Sequence, residues 1–162
     1  MAEQILLTFL SEQVSARAVL LTERAPSTCS ALIQHLPLRT RAHHAIYSGS
    51  EIALVMPDIV REDPENATWE VAPGDIGYAW FSQGSHYGVL EDFSELCWFY
   101  DFDARPSLWE GPVAVSVFAH LIDADRFYAV GRRMRIEGAK TIEITLSEAR
   151  CRQGPPIAGG CA

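Results

Sequence analysis

A nucleophilic serine needs a base within hydrogen-bond reach and a third group to orient that base. Ser48 stands beside Gly49 in Tyr47-Ser48-Gly49-Ser50-Glu51, with His44 four residues earlier. A hairpin turn accounts for the same Ser and Gly without any reaction. His43 and His44 are adjacent on an extended segment and point to opposite faces, so regular geometry cannot bring both to one metal. A mixed set with His86 and Glu51 lacks the ligand spacing of a zinc site, and no metal is expected. The carboxylates Glu91, Asp92, Asp101 and Asp103 fall in polar stretches where solvated charge is the default. Gly154 to Gly160 is followed by no helix, so there is no phosphate-cradling loop and no cofactor is expected. No residue is assigned a catalytic role.

The aromatics point more clearly to binding. Trp80, Phe81, Tyr87, Trp98, Tyr100 and Trp109 cluster between positions 78 and 109, with Arg41 and Arg105 as charges that could stand beside them. Small-molecule sites are apolar and aromatic with a few polar groups. Tyr47, Glu51, Trp80, His86 and Trp98 are therefore predicted to line a ligand pocket. Trp80 and Trp98 would form its floor, and the loop Ser82 to Ser94 would be a lid carrying His86 and Tyr87. Glu51 offers an acceptor and the indoles flat faces, so the ligand expected is a small polar molecule with an amide, amine or planar group.

The elements that must position these residues centre on Pro73 to Phe81. Pro73-Gly74-Asp75 has the composition of a tight turn. The strand that follows places Ile76, Tyr78 and Trp80 on one face and Gly77, Ala79 and Phe81 on the other. The face with Gly77 and Ala79 has room for a second wall or for a ligand. Strands are also predicted over residues 3–10, with Ile5, Leu7 and Phe9 inward, and 17–22, with Val19 and Leu21 inward. Leu38 to Tyr47 and Glu51 to Met56 read as a hairpin, and Glu95 to Phe102 as a strand covered on both sides. Val113 to Leu121 reads as a further strand, and the last strand places Ile142, Ile144 and Leu146 on its dry face. A helix at about 26–36, opened by Pro26 and Ser27, presents Cys29, Leu32, Ile33 and Leu36. A second helix, at about 124–136, is capped by Asp123, presents Phe127, Val130 and Met134, and ends near Gly138.

Composition bounds the rest. The chain has 162 residues, 48% of them hydrophobic and 21% charged, which is ordinary globular usage for one domain. A net charge of −8 and a pI near 5.0 oppose a nucleic-acid or anionic-membrane partner. The N-terminal residues lack a basic leader, and no apolar run is long enough for a membrane span, so a cytoplasmic location is expected. Cys29 and Cys97 are expected as buried free thiols. Residues 1–147 are read as one domain, and 148–162, with Cys151 and Cys161, as a flexible tail.

The order of elements, the stretch His44-Ala45-x-Tyr47-Ser48-Gly49-x-Glu51 and the turn and strand Pro73-Gly74-Asp75-Ile76-Gly77-Tyr78 resemble a bacterial family of unknown function. The likeness runs from about Ile5 to Leu146. It implies a mostly β fold: a cyclophilin-like, closed or nearly closed antiparallel barrel with two short helices. True cyclophilins need an Arg, a Phe-Met pair and a Gln in a set pattern. Phe81-Ser82-Gln83-Gly84 here lacks the Met. Three readings of function stay open. The first is a binding module for a small molecule or short peptide. The second is an enzyme, either a peptidyl-prolyl isomerase or a contributor to amide-bond hydrolysis. The third is a homo-oligomeric scaffold.

Overall fold

A computed structural model describes residues 3–147. The strands are β1 (Gln4–Phe9), β2 (Val14–Leu20), β3 (Leu38–His44), β4 (Glu51–Val55), β5 (Ala67–Thr68), β6 (Asp75–Phe81), β7 (Phe93–Phe99), β8 (Ser107–Leu108), β9 (Gly111–Pro112), β10 (Val115–Ile122) and β11 (Lys140–Ser147). The helices are α1 (Pro26–Ile33) and α2 (Asp125–Glu137). Strands pair antiparallel in the order β2-β1-β11-β3-β4-β7-β6-β10, and β10 returns to β2. The sheet is thus a closed barrel, which leaves no free edge along that ring. The short β5 adds to β10, and β8 pairs with β9 as a separate hairpin. Both helices lie close to the predicted positions. The predicted tail lies outside the described residues.

Period-two alternation on nearly every strand sends one set of side chains into the barrel. Ile5, Leu7 and Phe9 of β1, Ile52 and Leu54 of β4, Ile76 and Tyr78 of β6, and Leu96 and Trp98 of β7 meet there. Phe127, Val130 and Met134 of α2 cover one end of this core, with Phe127 stacked at 4.6 Å from Phe9 and 5.6 Å from Trp98. A second apolar cluster lies on the outer wall, where Cys97, Phe99, Val115 and Val117 are covered by Ala104. That is why β7 is apolar on both faces.

Several local expectations are corrected. The inward residues of β2 are Ala16, Ala18 and Leu20, not Val19 and Leu21, because the strand begins at Val14 and its register against β1 faces the small alanines inward. Leu146 of β11 is 49% exposed, whereas Ile142 and Ile144 are buried. Neither Ser27 nor Asp123 caps its helix with a side chain. For α1 the Glu65 carboxylate does so from a distant loop, accepting from the Ser27 and Thr28 N–H groups at 3.2 and 2.8 Å. Cys29 and Cys97 are free and buried, as expected. Among the described residues no helix is long and apolar enough to cross a membrane.

Candidate functional site

A cavity of about 270 Å³ opens on the outer wall. It is lined by Tyr47, Tyr87, Gly88, Val89, Phe93, Leu108 and Trp109. Three separate segments meet in it: the turn between β3 and β4, the loop between β6 and β7, and the β8–β9 hairpin. Trp109 lies edge-on to Tyr47, with ring centroids 5.6 Å apart, and tilted to Tyr87 at 6.3 Å. The rings are far from buried, with 50% of Tyr47, 64% of Trp109 and 71% of Tyr87 exposed. Flat apolar faces are thus held open to solvent around a hollow, the arrangement that suits a planar ligand. Glu110 sits beside them, its carboxylate accepting from the Tyr87 N–H at 3.3 Å.

The residues predicted to line one pocket are not brought together. Tyr47 lines the cavity. Trp98 is 1% exposed inside the barrel and forms no pocket floor, because its place on β7 is in phase with the inward Leu96. Trp80 lines a separate recess of about 110 Å³ with Glu62, Ala79, Phe81 and Ser116, and the Arg61 guanidinium sits 5.6 Å from its ring. His86 packs edge-on against Phe81 at 5.5 Å. Glu51 points to the outer wall and is buried. The room expected beside Gly77 is taken by protein: a Cβ there would meet Val115 Cγ2 at 2.6 Å and Cys97 Sγ at 3.1 Å.

A pair of carboxyl groups was missed. Glu51 on β4 and Glu95 on β7 share the outer face with Cys97, since Ala53 pairs with Cys97, Glu51 with Phe99 and Val55 with Glu95. Burial and the neighbouring Glu95 charge raise Glu51 to about 8, although the Ser48 hydroxyl works against the shift. Its Oε2 has no hydrogen-bond partner. Glu95 keeps some exposed area, yet the protein encloses its carboxyl closely enough for burial alone to raise it to about 7. Burial also pushes the Cys97 thiol well up, with Glu51 and Glu95 adding to the effect, so Cys97 is no nucleophile. The signal in the sequence was a glutamate at the start of a strand otherwise apolar on both faces.

The other weighed constellations resolve structurally. Ser48 is buried, and its hydroxyl exchanges hydrogen bonds with Ser107 rather than with His44. His44 donates from Nδ1 to the Ala45 carbonyl at 2.8 Å and accepts at Nε2 from the Tyr100 hydroxyl at 2.7 Å. Burial accordingly holds its imidazole below the usual histidine range. Among the described residues no His, Cys, Asp and Glu group is placed to hold a metal ion. Arg41 is exposed and reaches the Ala139 carbonyl at 3.2 Å, and Arg105 is exposed. Neither lines the aromatic cavity, so the arginine beside an apolar pocket that an isomerase requires is not supplied there.

A family model described as a protein of unknown function, DUF3830, matches residues 7–146. The chain belongs to the DUF3830 family. No curated protein matches it. Among solved structures, this DUF3830 chain is similar to the hypothetical protein AF2241 from Archaeoglobus fulgidus, with 20% identity and a TM-score of 0.60 over 90% of this chain and 95% of that one. It is also similar to McbB, solved in complex with tryptophan, with 12% identity and a TM-score of 0.61; the match takes in 96% of this chain but only 50% of McbB. The Mimivirus cyclophilin matches with 10% identity and a TM-score of 0.52 over 89% of this chain and 87% of that one. At these identities the likeness establishes the fold, a cyclophilin-like barrel, and nothing about activity.

Proposed function

We propose that this DUF3830 protein binds a small molecule with a flat aromatic ring and an amine, held between Tyr47, Tyr87 and Trp109. The observation that carries the reading is the open aromatic cavity: rings from three different segments converge around one hollow, Trp109 touching both Tyr47 and Tyr87, and at least half of each residue stays exposed. Aromatic faces favour a planar or cationic guest. The Glu110 carboxylate at the rim and the net charge of −8 favour a positive group over a negative one. That McbB, a protein of similar fold, was solved with tryptophan supports a guest of this size and shape.

The test uses tryptamine, tryptophan and indole-3-propionate as probes, read by calorimetry and thermal shift. A ligand of the folded state raises the melting temperature. Tryptamine is expected to bind at least as well as tryptophan and clearly better than the anionic propionate. Trp109→Ala is expected to weaken tryptamine binding about tenfold or more, as loss of a central aromatic does. Equal binding of the three probes, or an unaffected Trp109→Ala protein, overturns the reading.

A further inference from the structure

We infer that the recess beside Trp80 is a second binding site, taking an extended peptide segment of another protein that pairs with the Trp80 backbone as an added strand. It shares no lining residue with the aromatic cavity and stands independently of the function proposed there. The observation is a seam that stops short. β6 runs to Phe81, whereas its pairing with β10 ends at Tyr78 opposite Ser116. On its other side β6 stays paired with β7 as far as Phe81 and Phe93. In an antiparallel ladder, successive residues turn their N–H and C=O to opposite sides. The Met56 N–H donates to the Ser94 carbonyl, so Ser94 turns to β4 and its neighbours Phe93 and Glu95 turn to β6. Their partners Phe81 and Ala79 therefore face β7, and the N–H and C=O of Trp80 between them face the recess. Among the described residues neither group has a partner.

The recess is built around that gap. It holds about 110 Å³, well above the ~30 Å³ that one water takes up in the liquid. Ala67, Ala79 and Ala114 line it, so little side chain fills the space. The facing wall, which carries Glu62 and Pro64, is fixed by side chains of the barrel. The Glu62 N–H donates to the Tyr78 hydroxyl at 3.0 Å and the Glu65 N–H to the Ser116 hydroxyl at 3.1 Å, and Tyr78 and Ser116 are both buried. Asp92 holds Arg61 at 2.8 Å, beside the Trp80 ring, and accepts from the Gln83 N–H at 2.7 Å just beyond the end of β6. A wall fixed before the guest arrives lowers the ordering cost of binding. Exposed edges are blunted by charge, proline or a covering segment, whereas this one stays open beside a preformed recess. A donor and an acceptor on one side of a strand are what one extended residue satisfies with its own C=O and N–H, the bonding of strand addition. Glu62 in the wall and the net charge of −8 favour a peptide with basic residues over an acidic one.

The probe is the peptide acetyl-Lys-Val-Val-Val-Lys-amide, followed by amide NMR of the full-length chain. In the free chain the Trp80 amide is expected to exchange quickly with solvent, and the Tyr78 amide, paired with β10, slowly. The peptide should shift the Trp80 amide and slow its exchange about tenfold or more. An analogue N-methylated at the three valines, which lacks the central donors, should bind about tenfold more weakly or worse. Ala114→Trp, at an exposed position and checked for folding by circular dichroism, fills the recess and should abolish the response. Trp109→Ala should leave it intact. A response lost in Trp109→Ala places the peptide in the aromatic cavity and overturns the inference. No response at Trp80, equal binding of the methylated analogue, or binding that survives Ala114→Trp overturns it as well. So does a Trp80 amide already slow in the free chain, because the edge would then be covered from within, as by residues 148–162. Failure of tryptamine to bind overturns only the aromatic-cavity reading.

Discussion

The Ser107 N–H donates to Ser48 Oγ at 2.9 Å, and that hydroxyl donates in turn to the Ser107 carbonyl at 3.2 Å. The pair ties the turn carrying Tyr47 to the hairpin carrying Trp109, and the Arg105 N–H reinforces it by donating to the Ser48 carbonyl at 2.9 Å. One small buried side chain thus sets the spacing of the two rings. Ser48→Ala leaves two backbone groups of Ser107 without their partner, at a cost of about 1–2 kcal/mol. Chemical denaturation should register that loss, and calorimetry should show weaker tryptamine binding although no ring has been altered.

Gly77 has an ordinary strand role with no tolerance for a side chain. A methyl group there would press on Val115 Cγ2 at 2.6 Å, on a wall already packed with Cys97 and Val117. Gly77→Ala is expected to destabilise the fold by about 1–3 kcal/mol, the range of overpacked cores. A paired Gly77→Ala, Val115→Ala protein should recover part of the loss, and equilibrium unfolding of the two variants checks this. Equal stability of the single variant and the parent would mean that the wall yields freely.

The pH dependence of stability should carry the mark of Glu51. Its carboxyl rises from 4.5 to about 8 on folding. Through that window the folded chain keeps a proton that the unfolded chain has released, so stability is full below about 4.5 and declines as pH rises toward 8. Glu51→Gln removes the share of the decline that Glu51 causes, while Glu95, raised by burial to about 7, keeps its own share below that pH. Its melting temperature should match the parent near pH 4.5 and clearly exceed it at pH 8.5, by up to about 5 kcal/mol of stability. A constant difference across that range would contradict the burial of an ionisable group here.

The first turn of α1 depends on a residue far from it in the chain. Glu65 receives the Thr28 N–H at 2.8 Å and the Thr28 hydroxyl at 2.9 Å, and these bonds hold its carboxyl below the usual range. Glu65→Ala should speed hydrogen exchange at the Ser27 and Thr28 amides while leaving β7 protected. Acidification through the Glu65 titration should have the same local effect, because the protonated group is a poorer acceptor for the helix N-terminus.

The barrel was legible because Ile76, Tyr78 and Trp80 alternate with Gly77, Ala79 and Phe81, and strands that keep such a phase need a common interior. The same rule misassigned Val19, since it favours large residues and β2 faces Ala16 and Ala18 inward. For β7 the pattern carries no preference: both Trp98 and Cys97 lie in apolar rows, and only the packing of Phe9 and Phe127 on Trp98 decides which row is interior. Trp98 was therefore placed in the pocket and Glu95 was passed over. The cavity itself depends on where three connections of the barrel meet in space, and local periodicity does not carry that information. Tyr87 and Trp109 were visible as aromatics, but their meeting with Tyr47 was not.

The closed ring of strands also has a kinetic meaning. Its seams join Leu20 to Ala119 and Ile5 to Leu146, pairings between distant parts of the chain. The entropy of closing such long loops is lost before the contacts repay it, which places folding in the slow regime of roughly milliseconds to seconds. The hairpin of β3 and β4 is local and can form early, whereas Tyr47, Tyr87 and Trp109 meet only after the ring has closed. A guest in that cavity would find nothing to hold in the folding transition state. It would act by retarding escape from the native state, lengthening the life of a molecule already folded without hastening its formation.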